Sequence, residues 1–389
     1  MSTSSRIYLD HNATSPARPE VIDAVSQAMR IVGNASAPHA HGRAARNLVS
    51  QAREALGLAM GVCAQDIYFT SGGTEGANTA IHSAVSAGCK RLLVSSLDHP
   101  ASIRAAEDAG VKLEMVPSMR SGILDVAWLK DTLENWDVAD GRPFVSTTAA
   151  NSETGVIQPV EAIIDLVHEH NGLVLVDAVQ ALGKTSLLVQ PDYMCVSAHK
   201  IGGPMGIGAL YVSPDAPYSA FMQGGGQERR RRAGTINVAG ASGFHAALKA
   251  LQDITHIRFL RNTLEAGLKA MEPKLVIFGE EEDRLPNTSF FAVPDAANNT
   301  LMMNLDLHGV SVSTGMACSS GKVGASRAVT AMRRSDEAPK GAIRISLGYD
   351  STQSDVDGFL GAWAKIRKLT SFVVSPDDAC ANIQEEKVG

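Results

Sequence analysis

Lys200 follows the run Ser197-Ala198-His199 and opens into Gly202-Gly203-Pro204-Met205-Gly206, so its amine stands at the end of a short apolar stretch beside a glycine-rich loop. Taken alone, such a lysine reads equally as a solvated residue beside a turn. An amine in that setting can also condense with an aldehyde, because small neighbours let a flat molecule approach the backbone. Asp177 ends the run Leu173-Val174-Leu175-Val176. It is either a strand-end cap or a carboxylate placed to pair with a ring nitrogen. Thr70-Ser71-Gly72-Gly73-Thr74-Glu75 lies between a strand-like and a helical stretch, where the amides of Gly73 and Thr74 would open a helix and receive a phosphate. His99 follows a third strand-like run and could stack on a ring. An amine, an acid, an anion cradle and a stacking ring, each after a strand, are the parts needed to hold pyridoxal 5'-phosphate and use its ring as an electron sink.

The order of these pieces resembles the class V aminotransferase superfamily of fold-type I pyridoxal-phosphate enzymes, and is most similar to the cysteine desulfurases of the NifS/IscS type. The segments that carry the resemblance include Tyr8 to Thr14, Ser71 to Glu75, Asn151-Ser152-Glu153-Thr154-Gly155 and Asp177-Ala178-Val179-Gln180. Ser197 to Lys200, Gly224 to Glu228, Arg232-Ala233-Gly234-Thr235 and Gly341 to Gly348 extend it to nearly the whole chain.

The resemblance implies roles residue by residue. Lys200 would bind the cofactor covalently and shuttle a proton, Asp177 would pair with the ring nitrogen, and His99 would stack on the ring and move protons. Gln180 would bond the phenolic oxygen. Gly73, Thr74, Ser197 and His199 would hold the phosphate, with Thr235 of a second subunit completing it in a homodimer. Asn151 and Arg344 would hold the substrate carboxylate, a task that suits a guanidinium fork. Cys318, within Gly315-Met316-Ala317-Cys318-Ser319-Ser320-Gly321, would take sulfur from L-cysteine as a persulfide and pass it to an iron–sulfur scaffold or another acceptor protein. No resident metal is expected, although Cys318 could transiently ligate an iron–sulfur cluster. A selenocysteine lyase or another class V aminotransferase is the alternative, and a transaminase would have no use for Cys318. The chain departs from the family pattern at Met205, Ile236 and Ser326-Arg327, none of which touches the proposed chemistry.

The elements that must position these groups follow from length and periodicity. At 389 residues the chain suits two domains. Short β-rich runs at Ile67–Thr70, Arg91–Ser95, Lys112–Val116, Phe144–Thr147, Leu173–Val176, Met194–Ser197 and Ala209–Val212 alternate with helical patterns over much of their span. An α/β layer with a mainly parallel seven-stranded sheet is therefore expected. The large domain spans 15–255. Residues 1–14 and 256–372 form a smaller α+β domain carrying the Cys318 loop, and 373–389 is a polar tail. The polar stretch Gly33–Gly42 reads as a loop, and one long helical stretch from Val238 to Met271 leads out of the large domain.

Composition narrows the function classes. A net charge of −6 gives no field for nucleic acid. Neither a signal peptide nor a membrane span is visible. Five scattered cysteines form no zinc or dithiol spacing and fit a reducing cytoplasm.

Overall fold

The computed structural model describes residues 6–294, 296–314 and 326–372. Eight of its strands come first along the chain: β1 (Ile7–Tyr8), β2 (Ile67–Thr70), β3 (Arg91–Ser95), β4 (Lys112–Val116), β5 (Phe144–Thr148), β6 (Leu173–Asp177), β7 (Tyr193–Ser197) and β8 (Gly208–Val212). Helices α1 (Pro19–Met29), α2 (Ala40–Met60), α3 (Gly73–Ser86), α4 (Pro100–Glu107), α5 (Val126–Glu134) and α6 (Val160–Glu169) are interleaved with them. The strands β2 to β8 form one sheet in the order β2-β8-β7-β6-β5-β3-β4. Only β8 runs against its neighbours, so the sheet is mainly parallel, as the alternating pattern implies.

Burial on both faces explains the apolar runs. Along β6, Val174 and Val176 enter one core, whereas Leu173 and Leu175 enter the core on the opposite face. Asp177 is the first polar residue of that strand and falls at its carboxyl end.

The second sheet is built from β9 (Val276–Ile277), β10 (Thr288–Ala292), β12 (Ser313–Thr314) and β13 (Ile343–Ser346), in the order β12-β13-β10-β9. A further strand, β11 (Val310–Ser311), pairs in parallel with β1. Helices α7 (Val238–Lys249), α8 (Thr255–Met271), α9 (Asn298–Leu307), α10 (Arg327–Ala331) and α11 (Gln353–Phe372) complete the described chain. A separate core gathers Leu9, Phe291, Phe359 and Trp363 around this sheet. The N-terminal strand thus belongs with the second sheet, and residues 10–18 cross back over the loop after β7. Ser15 N donates to His199 O at 3.0 Å and Arg18 N to Gly202 O at 3.0 Å.

Two sequence expectations are corrected. The polar stretch ends earlier than Gly42, because His39 Nδ1 accepts from Gly42 N and caps α2 at Ala40. Gly42 lies in the first turn of that helix, where a side chain would strike the backbone of Ala37, so the position needs glycine. The single helical stretch from Val238 to Met271 is two helices. Arg18 Nη1 takes the carbonyl of Ala250 at 2.8 Å, while Asp253 accepts from Thr255 N and starts α8 afresh. Local propensity runs through the break; the tertiary contact from Arg18 does not.

Arg284 and Glu265 tie the two sheets together. Their side chains are buried and paired in a fork, Nη1 to Oε1 at 2.7 Å and Nη2 to Oε2 at 3.0 Å. The adjacent backbone bonds the loop after β5, with Ile157 N on Asp283 O and Leu285 N on Gly155 O. Gly155 has φ +76 and faces Thr288, where a side chain would collide, so the loop needs glycine there. Replacing Glu265 by Ala would leave a buried guanidinium without its partner. A loss of about 3–5 kcal/mol is expected, measurable as a lower urea midpoint, with Arg284→Met in the same chain restoring much of it.

Candidate active site

The carboxyl ends of β2, β3, β5, β6 and β7 meet at one edge of the large sheet, where α/β proteins bind ligands. Lys200 follows β7 in a short helical turn, Ala198–Ile201, closed by Gly202 in the left-handed region. Its Nζ donates to Asn12 O at 2.5 Å and Ala13 O at 2.9 Å, so the crossing N-terminal segment receives the amine. Burial, helped by the Arg344 charge, lowers the Lys200 amine to about 8, while Asp177 and Asp10 oppose the shift.

Asp177 lies one strand away. Its Oδ1 accepts from Val179 N at 3.0 Å. Burial raises this carboxyl from the ordinary carboxylate range, and the amide of Val179 with the charges of His99 and Lys200 pulls it back. Behind it stands Asp98, fully buried, with Oδ2 accepting from Ser146 Oγ at 2.6 Å and Oδ1 without a partner. Burial, together with the Asp177 charge, lifts Asp98 to about 8, while the Ser146 hydroxyl opposes the shift.

His99 caps α4, Nδ1 accepting from Ala101 N at 3.1 Å. That bond places the ring proton on Nε2 and leaves the ring itself exposed to the cleft. Burial of the imidazole lowers its pKa, against the pull of Asp177.

Gly73 and Thr74 are the first residues of α3, so their amides lack acceptors within the helix. A side chain at Gly73 would drive into Val179, next to Asp177. Glu75, in the same turn, is taken up by Arg232 at 2.9 and 3.1 Å and by Ser71 N. Ser197 is buried and faces the glycine turn. His199 turns toward Thr14 Oγ1, 3.1 Å away. Burial, together with Lys200 and Lys184, lowers it to about 4, so it faces the site as a neutral ring. Thr235 is exposed on the loop before α7 and bonds none of the other named residues.

On the opposite wall, Arg344 projects from β13. Nη1 donates to Ser152 O at 3.0 Å and Nη2 to Asp10 Oδ1 at 2.8 Å, whereas its buried Nε has no partner among the described residues. Asn151 is largely committed to its own loop: Oδ1 accepts from Glu153 N, Thr154 N and Thr154 Oγ1, and Nδ2 donates to Leu97 O. One amide proton is left to offer a ligand. Gln180 Nε2 donates to Asn12 O at 2.9 Å. The expectation for Cys318 lies outside the described residues. The described chain before it ends at Thr314, paired with the strand that carries Arg344. After it, Ser326 and Ala328 donate to the Glu153 carboxylate, which burial raises to about 7.

Sequence reasoning passed over Lys184, Asn12 and Glu153 as chemical groups. The two lettered within the motifs, Asn12 and Glu153, had a signal in their position; Lys184 had only its spacing of one helical turn from Gln180.

An acid, a free ring, an unpaired amine and an open helix start, all at strand ends, fit a flat aldehyde-bearing ring with a phosphate. The orphaned Arg344 Nε supplies a donor for a further anion. Fold and site together define an enzyme of the fold-type I pyridoxal-phosphate class. Over residues 7–359 the sequence matches the aminotransferase class-V family, and the chain belongs to that family. It is 37% identical to a cysteine desulfurase of Cereibacter sphaeroides over 91% of this chain and 94% of that one. An IscS-like cysteine desulfurase of Mycobacterium tuberculosis is 32% identical over 93% and 97%. Among solved structures, a NifS-like protein from Rickettsia africae superimposes with a TM-score of 0.84 at 30% identity, covering 93% of this chain and 99% of that one.

The state of the Lys200 amine is directly measurable. Only the neutral amine captures an aldehyde, so cofactor capture by apoprotein should rise with pH and reach half its maximal rate near about 8, not near the ordinary lysine value of 10.5. Borohydride trapping followed by peptide mass analysis reads the rate at Lys200 itself.

Proposed function

We propose that the chain removes sulfur from L-cysteine, leaving L-alanine and a persulfide on Cys318. The observation that carries the reading is the meeting of Lys200, Asp177 and His99 with the partly unpaired Arg344 at one sheet edge. The similar proteins named cysteine desulfurase, which match over most of the chain, support it. Residues 15–255 form the large domain in this reading, and 1–14 with 256–372 the small one.

Pyridoxal phosphate, when bound, would supply the electron sink that lets the bonds around the amino acid's α-carbon be made and broken. Lys200 would hold it, Gly73, Thr74, Ser197 and His199 would cradle its phosphate, and Gln180 would bond its ring oxygen. Asp177, ionised beside a neutral Asp98, would hold a proton on the ring nitrogen. Arg344, its Nε open, would orient the substrate carboxylate, with Asn151 contributing its remaining amide proton. The Lys200 amine, neutral over part of the physiological range, would take and return the α-proton. His99, carrying its proton on Nε2 toward the cleft, would donate to or accept from the reacting groups. The Cys318 thiolate would then attack the substrate sulfur: an S–S bond forms, the C–S bond breaks, and the electron pair left on carbon is protonated as the alanine methyl.

Transfer of the persulfide to a sulfur-acceptor protein, with iron–sulfur assembly as its use, completes the reading. A homodimer in which Thr235 of one subunit serves the phosphate of the other is part of it. Among the described residues no helix is long and apolar enough to cross a membrane.

Cys318→Ser keeps the shape and supplies a far poorer nucleophile for sulfur. That variant should bind cysteine and release almost no alanine, at least about a hundredfold less than wild type. Wild-type protein given cysteine should gain one sulfur atom on the Cys318 peptide, removable by a reductant. Alanine release at the wild-type rate from Cys318→Ser would overturn the persulfide step. Mixing Lys200→Ala with Thr235→Ala subunits tests the shared site. Partial return of activity is expected, since one site of the mixed dimer then carries neither defect.

A further inference from the structure

We propose that Lys184 is a positioning residue of this reaction: its amine fixes the amide of Gln180 and, through Asn12, the backbone that receives the Lys200 amine. The proposal deepens the desulfurase reading and rests on it for the reaction, though not for its main measurement.

The chain after Asp177 makes helical turns, with Leu182 N on Ala178 O and Lys184 N on Ala181 O. Gln180 and Lys184 therefore stand one turn apart on the same side. Lys184 Nζ donates to Gln180 Oε1 at 3.0 Å and to Asn12 Oδ1 at 3.3 Å. Among the described residues no carboxylate pairs with it. Two neutral amide oxygens match the two N–H groups of a neutral amine and leave an ammonium with one donor unpartnered. The surroundings agree. Burial, with the charges of Lys200 and Arg344 on either side, lowers this amine to about 7. His199 and His11 also feel its charge, and both are held neutral by burial. The acids nearby, Asp10 and Asp177, are engaged by Arg344 and by Val179 N.

The arrangement settles which way Gln180 points. Asn12 O only accepts, so Nε2 must face Asn12, and Oε1 is then turned to the Lys184 amine, which donates to it. One N–H of Gln180 is left for the ring oxygen of the cofactor. Asn12 is oriented in the same way. Its Oδ1 accepts from Lys184 and from Asn287 Nδ2, and its Nδ2 donates to Ser152 O and Thr288 Oγ1. The carbonyl of that same residue takes the Lys200 amine. Lys184 also lines a crevice of about 50 Å³ together with Lys200, Ser15, Asn287 and Tyr349. Nothing else in the described site donates to Gln180 Oε1, so Asn12 O and this amine together hold the amide from its two ends.

The test compares wild type with Lys184→Met, which keeps length but loses every donor, and Lys184→Gln, which restores one. The main readout is the absorbance of the cofactor bound at Lys200, titrated with pH. The affinity of apoprotein for pyridoxal phosphate, Tm, kcat and KM are measured alongside. The Lys200 charge lowers Lys184, and repulsion between two charges is mutual, so removing Lys184 lets the group at Lys200 hold its proton more tightly; losing the donor that aims Gln180 at the ring oxygen acts in the same direction. Lys184→Met should therefore raise the absorbance midpoint by about one pH unit. It should lower kcat about tenfold or more with KM within about threefold, and leave Tm nearly unchanged. Lys184→Gln should return the midpoint most of the way. A midpoint shift under about half a unit would overturn the proposal, whether activity is kept or falls in step with Tm. If Lys184→Met does not fold, Lys184→Gln against Lys184→Ala gives the same comparison. The absorbance and affinity measurements need no turnover. Wild-type protein that binds cofactor but makes no alanine from cysteine would therefore sink the desulfurase reading alone.

Discussion

The segment from Asp10 to Ala13 binds three basic side chains of the site, Lys200, Lys184 and Arg344. Lys200 donates to the carbonyls of Asn12 and Ala13, Lys184 to the side chain of Asn12, and Arg344 to the side chain of Asp10. Three buried or half-buried cations in one cleft repel one another and would be costly without such acceptors. The crossing segment supplies them, and it is itself held between two cores. Leu9 is buried with the second sheet on one side, and Ser15 and Arg18 are bonded to the loop after β7 on the other.

That arrangement explains the chemistry the site can perform. Carbonyl oxygens accept hydrogen bonds without bringing a full negative charge, so they hold an amine in place and leave it easy to deprotonate. A carboxylate in the same position would have fixed Lys200 as an ammonium, useless as a nucleophile toward an aldehyde. The acids are separated in the same spirit. Asp98, deep in the sheet and bonded by Ser146, is lifted to about 8, and Asp177, one strand over, has Val179 N and the charges of His99 and Lys200 to favour its ionised form.

The two sheets meet through few but buried contacts, and these converge on the site as well. The loop after β5 carries Asn151, Ser152 and Glu153. It is clasped by the backbone on either side of Arg284, by Asn12 and by Arg344. Arg344 and Lys200 are thereby bonded to the same crossing segment, Arg344 through Asp10 and Lys200 through Asn12 and Ala13, which couples the placement of one to that of the other.

The strand-ending positions of Asp177, Lys200, His99 and Gly73 were legible in the sequence by themselves. A parallel sheet buried on both faces writes itself as apolar runs, and polar residues stand out where such runs stop. The seven strands and their mainly parallel arrangement came from the same signal. One boundary moved where a long-range contact overrode local preference, at Ala250, whose carbonyl is taken by Arg18, and another where a local cap, His39, starts the helix at Ala40. What no run of letters contains is which side chain ends up facing which. Asn12 and Lys184 are far apart in the chain, and nothing in either segment points to the other. Only the folding of the N-terminal segment across the sheet edge brings them within hydrogen-bond reach. The low pKa of the two lysines is likewise a property of the cleft, since it arises from water excluded and charges gathered by tertiary packing.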